Sequence, residues 1–447
     1  MPLRVGSFRR VPASLTDFWR AVHPRARHGF LLGSGANTPN DRVVFLSIEE
    51  PVRLLDAPPA RSLSLLKSVE RRLDRGSFDA FPRFVGFIGF DAGRGFDRGL
   101  ARLPRRADTL ELPAVFFGDY ESLVRIDLAE GRTDVVTRGS EAAALSARRR
   151  VEAALAAPAA TPARRARRGE GRVRVPDQRA FAAMVESAKE RISSGDIYQA
   201  NLSLLFDRPF QGDPIALYER LSVRNPSPYA ALMKCGNAWI VSCSPELLVD
   251  VNGDRAVTRP IAGTRPRGRT AAHDRRRQGQ LLLSPKERAE HIMLVDLERN
   301  DLGRVCASGS VKVTERFGVE RYSHVMHIVS QVEGKLARGR TSVDALVALF
   351  PGGTITGCPK IRSIEIIESL ERASRSIFYG SAGYFCGNGD AKFNILIRTA
   401  LVRRGRLLLR AGAGIVADSR ADREYREIHA KAGAVLEAAA DVEAGRV

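Results

Sequence analysis

The sequence predicts a mixed α and β protein of the α+β class, in which runs of strands and runs of helices are partly segregated. Short apolar segments bounded by Gly and Pro are typical of strands, and they recur near both ends of the chain. Longer segments with apolar residues three and four apart, and with capping residues at their ends, are typical of helices. Strict alternation of strand and helix is missing, so a mostly antiparallel sheet is expected.

Residues 1–156 form the first predicted region, in which short strands alternate with helical segments and a helix closes the region. Residues 157–175 are small, charged and Pro-bearing, which indicates a basic linker or an exposed excursion. Residues 176–447 form the second region, and the two regions are expected to pack as one globular unit. The predicted elements of the first region are the strands VVFLSI (43–48), FVGFIGF (84–90) and SLVRIDL (122–128) and the helix EAAALSARRRVEAALAA.

The second region begins with a helix whose signals are an Asp177 N-cap and a terminal Gly195. A later helix begins at Ser284 and Pro285, because Pro is favoured in the first turn after an N-cap. The remaining predicted elements are the strands IYQANLSLLF, AWIVSCSP, LLVDV, FYGSAGYFCG and FNILIRTALVRRGRLLLRAGAGIV, a helix at ALVALFP, a helix after GGTITG, and a closing helix at ADREYREIHAKAGAVLEAA.

The composition excludes several classes of protein. The formal charge is +20, but Arg residues are scattered and no nucleic-acid-binding motif is present, so no nucleic-acid partner is expected. No apolar run is long enough to span a bilayer, so no membrane partner is expected either. Five cysteines without a C-x-x-C pair indicate reduced thiols and a cytoplasmic location, with an Arg-rich transit peptide as the alternative at the N-terminus.

Two predicted helices each carry a pair of glutamates three residues apart. Glu287 and Glu290 lie in KERAEH, and Glu424 and Glu427 lie in EYREIH. Residues at i and i+3 share a helix face, so each pair presents two carboxylates to one place. Mg²⁺ prefers oxygen ligands and is commonly held by carboxylates together with an anionic substrate. The pattern favours a magnesium site, although a single pair of this kind is usually an ordinary solvated surface.

Two glycine-rich segments are candidate anion sites. Gly352–Gly357 precedes a helix that starts near Pro359, where backbone N–H groups could hold an anion. Gly412–Gly414 follows a predicted strand but lacks the third glycine of a dinucleotide fingerprint. Each alone is typical of a tight turn. His324 and His327 in RYSHVMHIVS are predicted to lie on one helical face, but no nucleophile elbow supports a hydrolytic triad.

From about residue 185 to the C-terminus, the order of these strings closely resembles the chorismate-binding enzyme family. That family includes the large subunits of anthranilate synthase and aminodeoxychorismate synthase, with isochorismate and salicylate synthases. The resemblance implies large, mostly antiparallel sheets stacked in a sandwich with helices outside. The matching strings are GDIYQANL, SPELLV, RPIAGTRPRG, KERAEHIMLVDLERNDLGRV, RYSHVMHIVS, GGTITGCPKIRSIEII, GYFCG, FNILIRTA, AGAGIVADS and EYREIHAKA, with FVGFIGFDAGRGFDR matching more loosely near the N-terminus.

The resemblance also implies roles for individual residues. Mg²⁺ would lie between the four glutamates and bind the ring carboxylate of chorismate. Glu246 would protonate the departing 4-hydroxyl, and His327 would line the ring. The PIAGT string would bring Ala262, Gly263 and Thr264 to the substrate. The enolpyruvyl carboxylate and the rest of the anion site would be held by Arg398, Tyr379, the backbone of Gly412 and Gly414, Lys431 and the Thr354 loop.

Gln199 occupies the position at which the water-using members of the family carry a lysine. An amide cannot act as a general base, so the resemblance implies ammonia as the nucleophile. Asn201, the Ile355–Gly357 string and the Phe393–Asn394 pair resemble aminodeoxychorismate synthases, which aminate C4. Ala262 is instead the anthranilate synthase form, because the best-studied C4 enzymes carry a nucleophilic lysine there. The resemblance therefore favours amination at C4. The alternatives to a C4-aminating enzyme are an anthranilate synthase and a non-catalytic binding protein of this fold.

The sequence contains no recognisable glutaminase segment, because no nucleophile-elbow Cys is followed by a suitable His and Glu. The expected partners are therefore chorismate and a separate glutamine amidotransferase subunit that supplies ammonia, with free ammonium as the alternative source.

Overall fold

Two antiparallel β-sheets and eleven α-helices make up the described part of the chain. The computed structural model describes residues 3–33, 35, 42–104, 106, 108, 110–157, 173–268, 270–321 and 325–446, with Thr264 and Val325 described by their backbone alone. The linker predicted at 157–175 therefore lies mostly outside the described residues, and His324 lies outside them entirely.

Most of the 21 strands are short. They are β1 (Leu3–Phe8), β2 (His28–Leu32), β3 (Val43–Ser47), β4 (Arg53–Ala57), β5 (Pro82–Ile88), β6 (Val115–Asp119), β7 (Ser122–Asp127), β8 (Arg132–Arg138), β9 (Gln199–Pro209), β10 (Tyr229–Cys235), β11 (Ala238–Ser244), β12 (Leu247–Asn252), β13 (Arg255–Arg259), β14 (Ile261–Pro266), β15 (Lys312–Arg321), β16 (Val325–Lys335), β17 (Gly357–Cys358), β18 (Ser381–Cys386), β19 (Ala391–Asn394), β20 (Thr399–Arg403) and β21 (Arg406–Ile415).

The helices of the described chain are α1 (Leu15–Val22), α2 (Ser62–Glu70), α3 (Arg98–Ala101), α4 (Glu141–Ala156), α5 (Gln178–Ser193), α6 (Pro214–Arg224), α7 (Ala271–Leu282), α8 (Pro285–Gly303), α9 (Ser342–Leu349), α10 (Lys360–Leu370) and α11 (Ala421–Glu443), with short 3₁₀ turns at Pro59–Arg61, Phe90–Gly95 and Gly353–Ile355. None of these helices combines the length and apolar character that a membrane span requires.

Strands from both ends of the sequence share each sheet. The first sheet has eleven strands in the order β1-β8-β7-β3-β2-β10-β11-β20-β21-β9-β17. The second has ten, in the order β14-β16-β13-β12-β19-β18-β5-β6-β4, with β15 also paired to β16. All the strand pairs are antiparallel, as the sequence predicts. The sheet ends that carry β9 with β21, and β14 with β16, supply the candidate site.

The larger apolar core combines side chains from both sheets. Phe30 and Met233 come from the eleven-stranded sheet, and Phe117, Phe385 and Phe393 come from the ten-stranded sheet. The last three form a ring cluster with centroids 4.9–6.1 Å apart. Burying each such side chain stabilises the fold by about 1.5–3 kcal/mol. This shared core confirms a sandwich of two sheets.

A second core packs helices against strands of the eleven-stranded sheet. Phe181 of α5, Tyr218 of α6 and Ile428 of α11 are buried in it together with Leu202 of β9. Because α11 packs on β21 and α5 packs on β9, this core holds in place β9 and β21, the two strands of the eleven-stranded sheet that line the site.

The helix-end signals are confirmed. Asp177 caps α5 by accepting a hydrogen bond from the Ala180 N–H. The Ser284 hydroxyl caps α8 in the same way, with Pro285 in the first turn. Gly195, just beyond α5, has φ of +81°, a value that L residues rarely adopt.

Three local predictions are wrong. The described part of RYSHVMHIVS is a strand and not a helix: His327 lies on β16, which is paired on one edge by β15 and on the other by β13 and β14. Gly412–Gly414 does not follow a strand but lies inside β21, paired with β9. The strand predicted at 84–90 ends at Ile88, and Phe90 begins a 3₁₀ turn.

Candidate functional site

A buried carboxylic acid lies in the short turn between β11 and β12. The side chain of Glu246 is only 3% exposed, and the Ile261 N–H donates to its Oε1 at 3.4 Å. Burial raises the pKa of Glu246 to about 7, although the Thr354 hydroxyl, the Ile261 N–H and the Arg398 charge act to lower it. A carboxyl with this pKa carries a proton in much of the population at neutral pH, so it can serve as a general acid.

His327 and Arg398 form a fixed pair beside this acid. His327 is 2% exposed, its Nδ1 lies 3.2 Å from the Gly263 carbonyl, and its Nε2 lies 3.1 Å from Nη2 of Arg398. A carbonyl only accepts and a guanidinium only donates, so Nδ1 carries the proton and Nε2 accepts. Burial and the Arg398 charge lower the pKa of His327 to about 3. The imidazole is therefore neutral and orients Arg398 instead of transferring protons.

Two side chains fix the orientation of the Arg398 guanidinium. Besides the contact with His327, its Nη1 donates to Oδ1 of Asn225 at 3.0 Å. Its backbone has φ of +50°, which is uncommon for a residue with a side chain. An oriented guanidinium is a strong donor toward a carboxylate, which fits the role implied for Arg398.

Gly263 forms a bulge in which a side chain would be both strained and crowded. Its φ is +64°, and the β14–β16 register shifts between Ala262 and Thr264. A Cβ at this position would lie 2.7 Å from Oε2 of Glu287 and 2.9 Å from Cδ1 of Leu281. The bulge therefore brings the strand against the first carboxylate of α8. The neighbouring Ala262 is 7% exposed, and the Thr264 backbone pairs with His327.

Gly412 and Gly414 make room for side chains of the neighbouring strand β9. A Cβ on Gly414 would lie 2.2 Å from Nε2 of Gln199. A Cβ on Gly412 would lie 2.5 Å from Oδ1 of Asn201 and 2.7 Å from the Tyr379 hydroxyl. Glycine is required at these two positions because side chains of β9 approach the backbone closely, and not because the chain turns there. Burial raises the pKa of the Tyr379 hydroxyl, which stays protonated.

The first glutamate pair lies on the N-terminal turns of α8. Glu287 pairs with Arg265 at 3.0 Å, and Glu290 accepts a hydrogen bond from Nε2 of Gln199 at 3.1 Å. Burial raises the pKa of Glu290, and the neighbouring Glu287 charge raises it further. This repulsion is what a bound cation would relieve.

The second pair lies on the N-terminal turns of α11. Glu427 pairs with Lys431 at 2.7 Å, and Lys431 also donates to the Gly412 carbonyl at 3.0 Å. Burial raises the pKa of Glu424, Ser419 opposes this rise, and the Glu427 charge adds to it. Lys431 thus ties the acidic face of α11 to β21.

The two pairs are suited to Mg²⁺ in their chemistry, but each remains on its own helix. Lys286 and Lys431 act electrostatically on both Glu290 and Glu424, which places the two helix starts near each other. Among the described residues, however, no three acidic, His or Cys side chains lie together in an arrangement that could hold a metal ion. Oxygen donors and mutual repulsion fit a hard divalent cation.

A buried ion cluster behind the site was not found from the sequence. Arg375 donates to the Ile355 carbonyl at 2.9 Å and to the Asn201 carbonyl at 2.6 Å, and its guanidinium stacks 4.7 Å from the Tyr379 ring. Glu371 accepts from Arg375 and Arg410. Burial opposes ionisation of Glu371, but these two arginines lower its pKa. In a chain so rich in arginine, no sequence signal marked this one.

A second buried acid, also missed, lies under the Thr354 loop. Glu298 is 2% exposed and accepts from the Gly353 N–H at 3.1 Å. Burial raises its pKa, against the nearby Lys360 charge. Lys360 pairs with Asp301 at 2.5 Å and donates to the Leu349 carbonyl at 2.8 Å, so this lysine braces the loop from inside.

The structure thus brings most of the predicted site residues together in two groups. Gly263, His327 and Arg398 are joined by hydrogen bonds, and Glu246 lies close enough for the Arg398 charge to act on it, with Thr354 beside it. Gln199, Gly412, Gly414, Tyr379, Glu290 and Lys431 form a second group along β9 and β21. Glu287 contacts Gly263 from α8. The Thr264 side chain is not among the described atoms.

Known proteins share this architecture and part of this sequence. The family model of the chorismate binding enzyme matches residues 38–437. Anthranilate synthase component 1 of Thermus thermophilus is 41% identical over 429 residues, which cover 94% of this chain and 88% of that protein. Aminodeoxychorismate synthase component 1 of Bacillus subtilis is 49% identical over 258 residues, which cover 58% of this chain and 55% of that protein.

The crystal structure of anthranilate synthase component I from Streptococcus pneumoniae superposes with a TM-score of 0.80 at 31% identity, covering 89% of this chain and 93% of that one. Because the family model spans most of the chain and the relatives match both regions, the chain belongs to the chorismate-binding enzymes, as a chorismate-utilising member close to anthranilate synthase component 1 and aminodeoxychorismate synthase component 1.

Proposed function

We propose that this chain aminates chorismate at C4 with ammonia, forming 4-amino-4-deoxychorismate and water for p-aminobenzoate synthesis. The choice of ammonia over water rests on Gln199. Its amide, 2% exposed and bonded to Glu290, cannot remove a proton from water. Neutral ammonia is a much stronger nucleophile than neutral water, so it can attack before any base removes a proton from it.

The observation that carries the choice of C4 is Asn201. Of the strings that resemble the C4 enzymes, this residue reaches the site, since its Oδ1 overlies Gly412 beside the Tyr379 hydroxyl. Asn394 instead serves the sheet, where it accepts from the Ala382 N–H and donates to the Tyr229 carbonyl. Asn201 is therefore the residue best placed to act on the reacting atoms.

Glu246 supplies the proton in this reaction. As the nitrogen forms its bond to carbon, the C4–O bond breaks, and the Glu246 proton passes to the departing hydroxyl, which leaves as water. The new ammonium group then returns a proton to the Glu246 carboxylate, so the enzyme ends in its starting state. Ala262 offers no nucleophile, so the bond is formed by ammonia directly or with transient help from a small nucleophile.

The anionic groups of chorismate need oriented cations and N–H donors. Arg398, fixed by His327 and Asn225, would hold the enolpyruvyl carboxylate together with the Tyr379 hydroxyl. Mg²⁺, held by Glu287, Glu290, Glu424 and Glu427, would neutralise the ring carboxylate when bound. Lys431 and the Thr354 loop would complete the anion site.

Ammonia would come from a separate glutamine amidotransferase subunit.

None of the five cysteines, all within the described residues, forms a disulfide, which supports the proposed cytoplasmic location.

Anthranilate synthesis is the second candidate, favoured by Ala262 and by the anthranilate synthase names among the relatives. The test is to incubate the purified chain with chorismate, ammonium and Mg²⁺, with and without aminodeoxychorismate lyase. p-Aminobenzoate that appears only with the lyase supports C4 amination. Fluorescent anthranilate formed without the lyase would show that the chain catalyses anthranilate synthesis instead.

A further inference from the structure

Two amide oxygens on β9 have no hydrogen-bond partner in the described part of the chain. They are Oε1 of Gln199 and Oδ1 of Asn201, and both atoms are buried. The two residues are separated by one position on a strand, so their side chains leave the same face. A buried acceptor without a partner is destabilising, because folding removes its hydrogen bonds to water without replacing them. Two such acceptors on one face of the same strand therefore indicate a ligand that supplies N–H or O–H donors.

The orientation of each amide is fixed by its nitrogen. Nε2 of Gln199 donates to Oε1 of Glu290 at 3.1 Å, and Nδ2 of Asn201 donates to the Thr354 carbonyl at 3.2 Å. Flipping either amide would set an oxygen against an oxygen, so the hydrogen-bond network determines which atom faces the site. The group of Asn201 that faces Gly412 is therefore the acceptor Oδ1, whereas Gln199 directs its Nε2 toward Gly414 and Glu290 and leaves Oε1 as the unpaired acceptor.

Chorismate is a poor match for these acceptors. It has two carboxylates and an ether oxygen, all acceptors, and its hydroxyl donates to only one partner. Ammonia has three N–H donors and one lone pair. Two neutral oxygens can hold two N–H groups and leave the lone pair available, whereas a carboxylate would favour the ammonium ion, which has no lone pair.

We propose that Gln199 Oε1 and Asn201 Oδ1 form the binding site for the ammonia nucleophile. This inference rests on the proposed amination and holds for attack at either ring position. In the reaction, the nitrogen lone pair forms the new C–N bond, the C4–O bond breaks, and Glu246 donates the proton that leaves with water. The amides hold the nitrogen and are unchanged at the end.

The test is a kinetic comparison of Asn201→Ala and Gln199→Met with the wild-type chain, using Mg²⁺ and added ammonium salts. The Michaelis constant for ammonia is measured at saturating chorismate, and that for chorismate at saturating ammonia. Loss of one acceptor should raise the constant for ammonia roughly three- to tenfold, because one hydrogen bond is lost. The constant for chorismate should change by less in Asn201→Ala. Expressed as free ammonia, the wild-type constant should be the same at different pH values.

Asn388→Ala is the matched control, because it removes the same side chain from the β18–β19 turn, where Asn388 bonds to Asp390. It should leave both constants unchanged, and thermal melting shows whether each variant is folded. If the wild-type chain forms no amine from chorismate, the proposed function fails and the ammonia site with it. If the wild-type chain aminates chorismate but both folded variants keep its constant for ammonia, the ammonia site alone is refuted. Should Asn201→Ala not fold, Gln199→Met decides.

Discussion

Replacing Glu246 tests the proposed acid most directly. With a pKa of about 7, roughly half of the chains carry the Glu246 proton at pH 7, whereas the ordinary pKa of 4.5 would leave roughly one chain in 300 protonated. The acid must be protonated before the 4-hydroxyl leaves. We therefore expect kcat/KM for chorismate to be level below pH 7 and to fall about tenfold per pH unit above it.

The rate of Glu246→Gln should be about 10²- to 10⁴-fold lower, because the amide holds the same space but has no proton to give. Its remaining activity should lose the decline above pH 7. The assay follows chorismate loss and product by chromatography between pH 5.5 and 9, with free ammonia kept constant by adjusting total ammonium. A profile without a decline near pH 7, or wild-type turnover by Glu246→Gln, would refute the assignment.

The same pKa predicts an effect on stability. Because the folded state raises the pKa of Glu246, the folded protein binds this proton more tightly than the unfolded chain does. The stability associated with it is fully present below about pH 4.5 and is lost as the pH rises to about 7. Glu246→Gln should therefore melt at a higher temperature than wild type at pH 8 and show little difference near pH 4.5. Equal melting shifts at both pH values would contradict the burial argument.

Three further predictions follow from the geometry. EDTA or Glu290→Gln should abolish turnover without unfolding the chain. Glu437 on α11 is exposed, so Glu437→Gln should keep full activity. Turnover that survives in EDTA argues against Mg²⁺. Gly263→Ala should lower both activity and melting temperature, because its Cβ would meet Glu287, whereas Gly253→Ala, with φ of +60° and open space, should only cost about 1–2 kcal/mol of stability. Arg375→Met should destabilise the fold by about 3–5 kcal/mol and raise KM for chorismate. Arg375→Lys should partly restore the stability and the KM. An unchanged melting temperature of Arg375→Met would show that the buried ion cluster is dispensable.

Local signals carried the successful part of the sequence prediction. The caps at Asp177 and Ser284 and the glutamate pairs on α8 and α11 all depend on residues a few positions apart. Such spacing defines a helix face before any tertiary contact is known. The fold class was also predictable, because short strands bounded by turns are numerous at both ends of the sequence.

The errors occurred where distant contacts decide the structure. VMHIVS fits either a helix or a buried strand by its apolar pattern, and the pairing of His327 with Thr264 and Glu320 decides for the strand. Gly412 and Gly414 suggest a turn in isolation, yet they are glycine because β9 side chains lie over them. Although Glu320 is close to His327 in the sequence, Thr264 and the β9 side chains are far along the chain from the positions that they affect.

The position of amination depends on a smaller part of the site than chorismate binding does. In either product the 4-hydroxyl leaves, so a proton from Glu246 would serve attack at C4 and at C2 equally. In the proposed mechanism, Arg398, His327 and the glutamate pairs would bind groups that are the same in both reactions. Ala262 removes the lysine route but does not direct ammonia to either carbon. The remaining determinant is the position of the nitrogen relative to the ring. Asn201, whose Nδ2 donates to the Thr354 carbonyl, is the side chain that we propose sets this position.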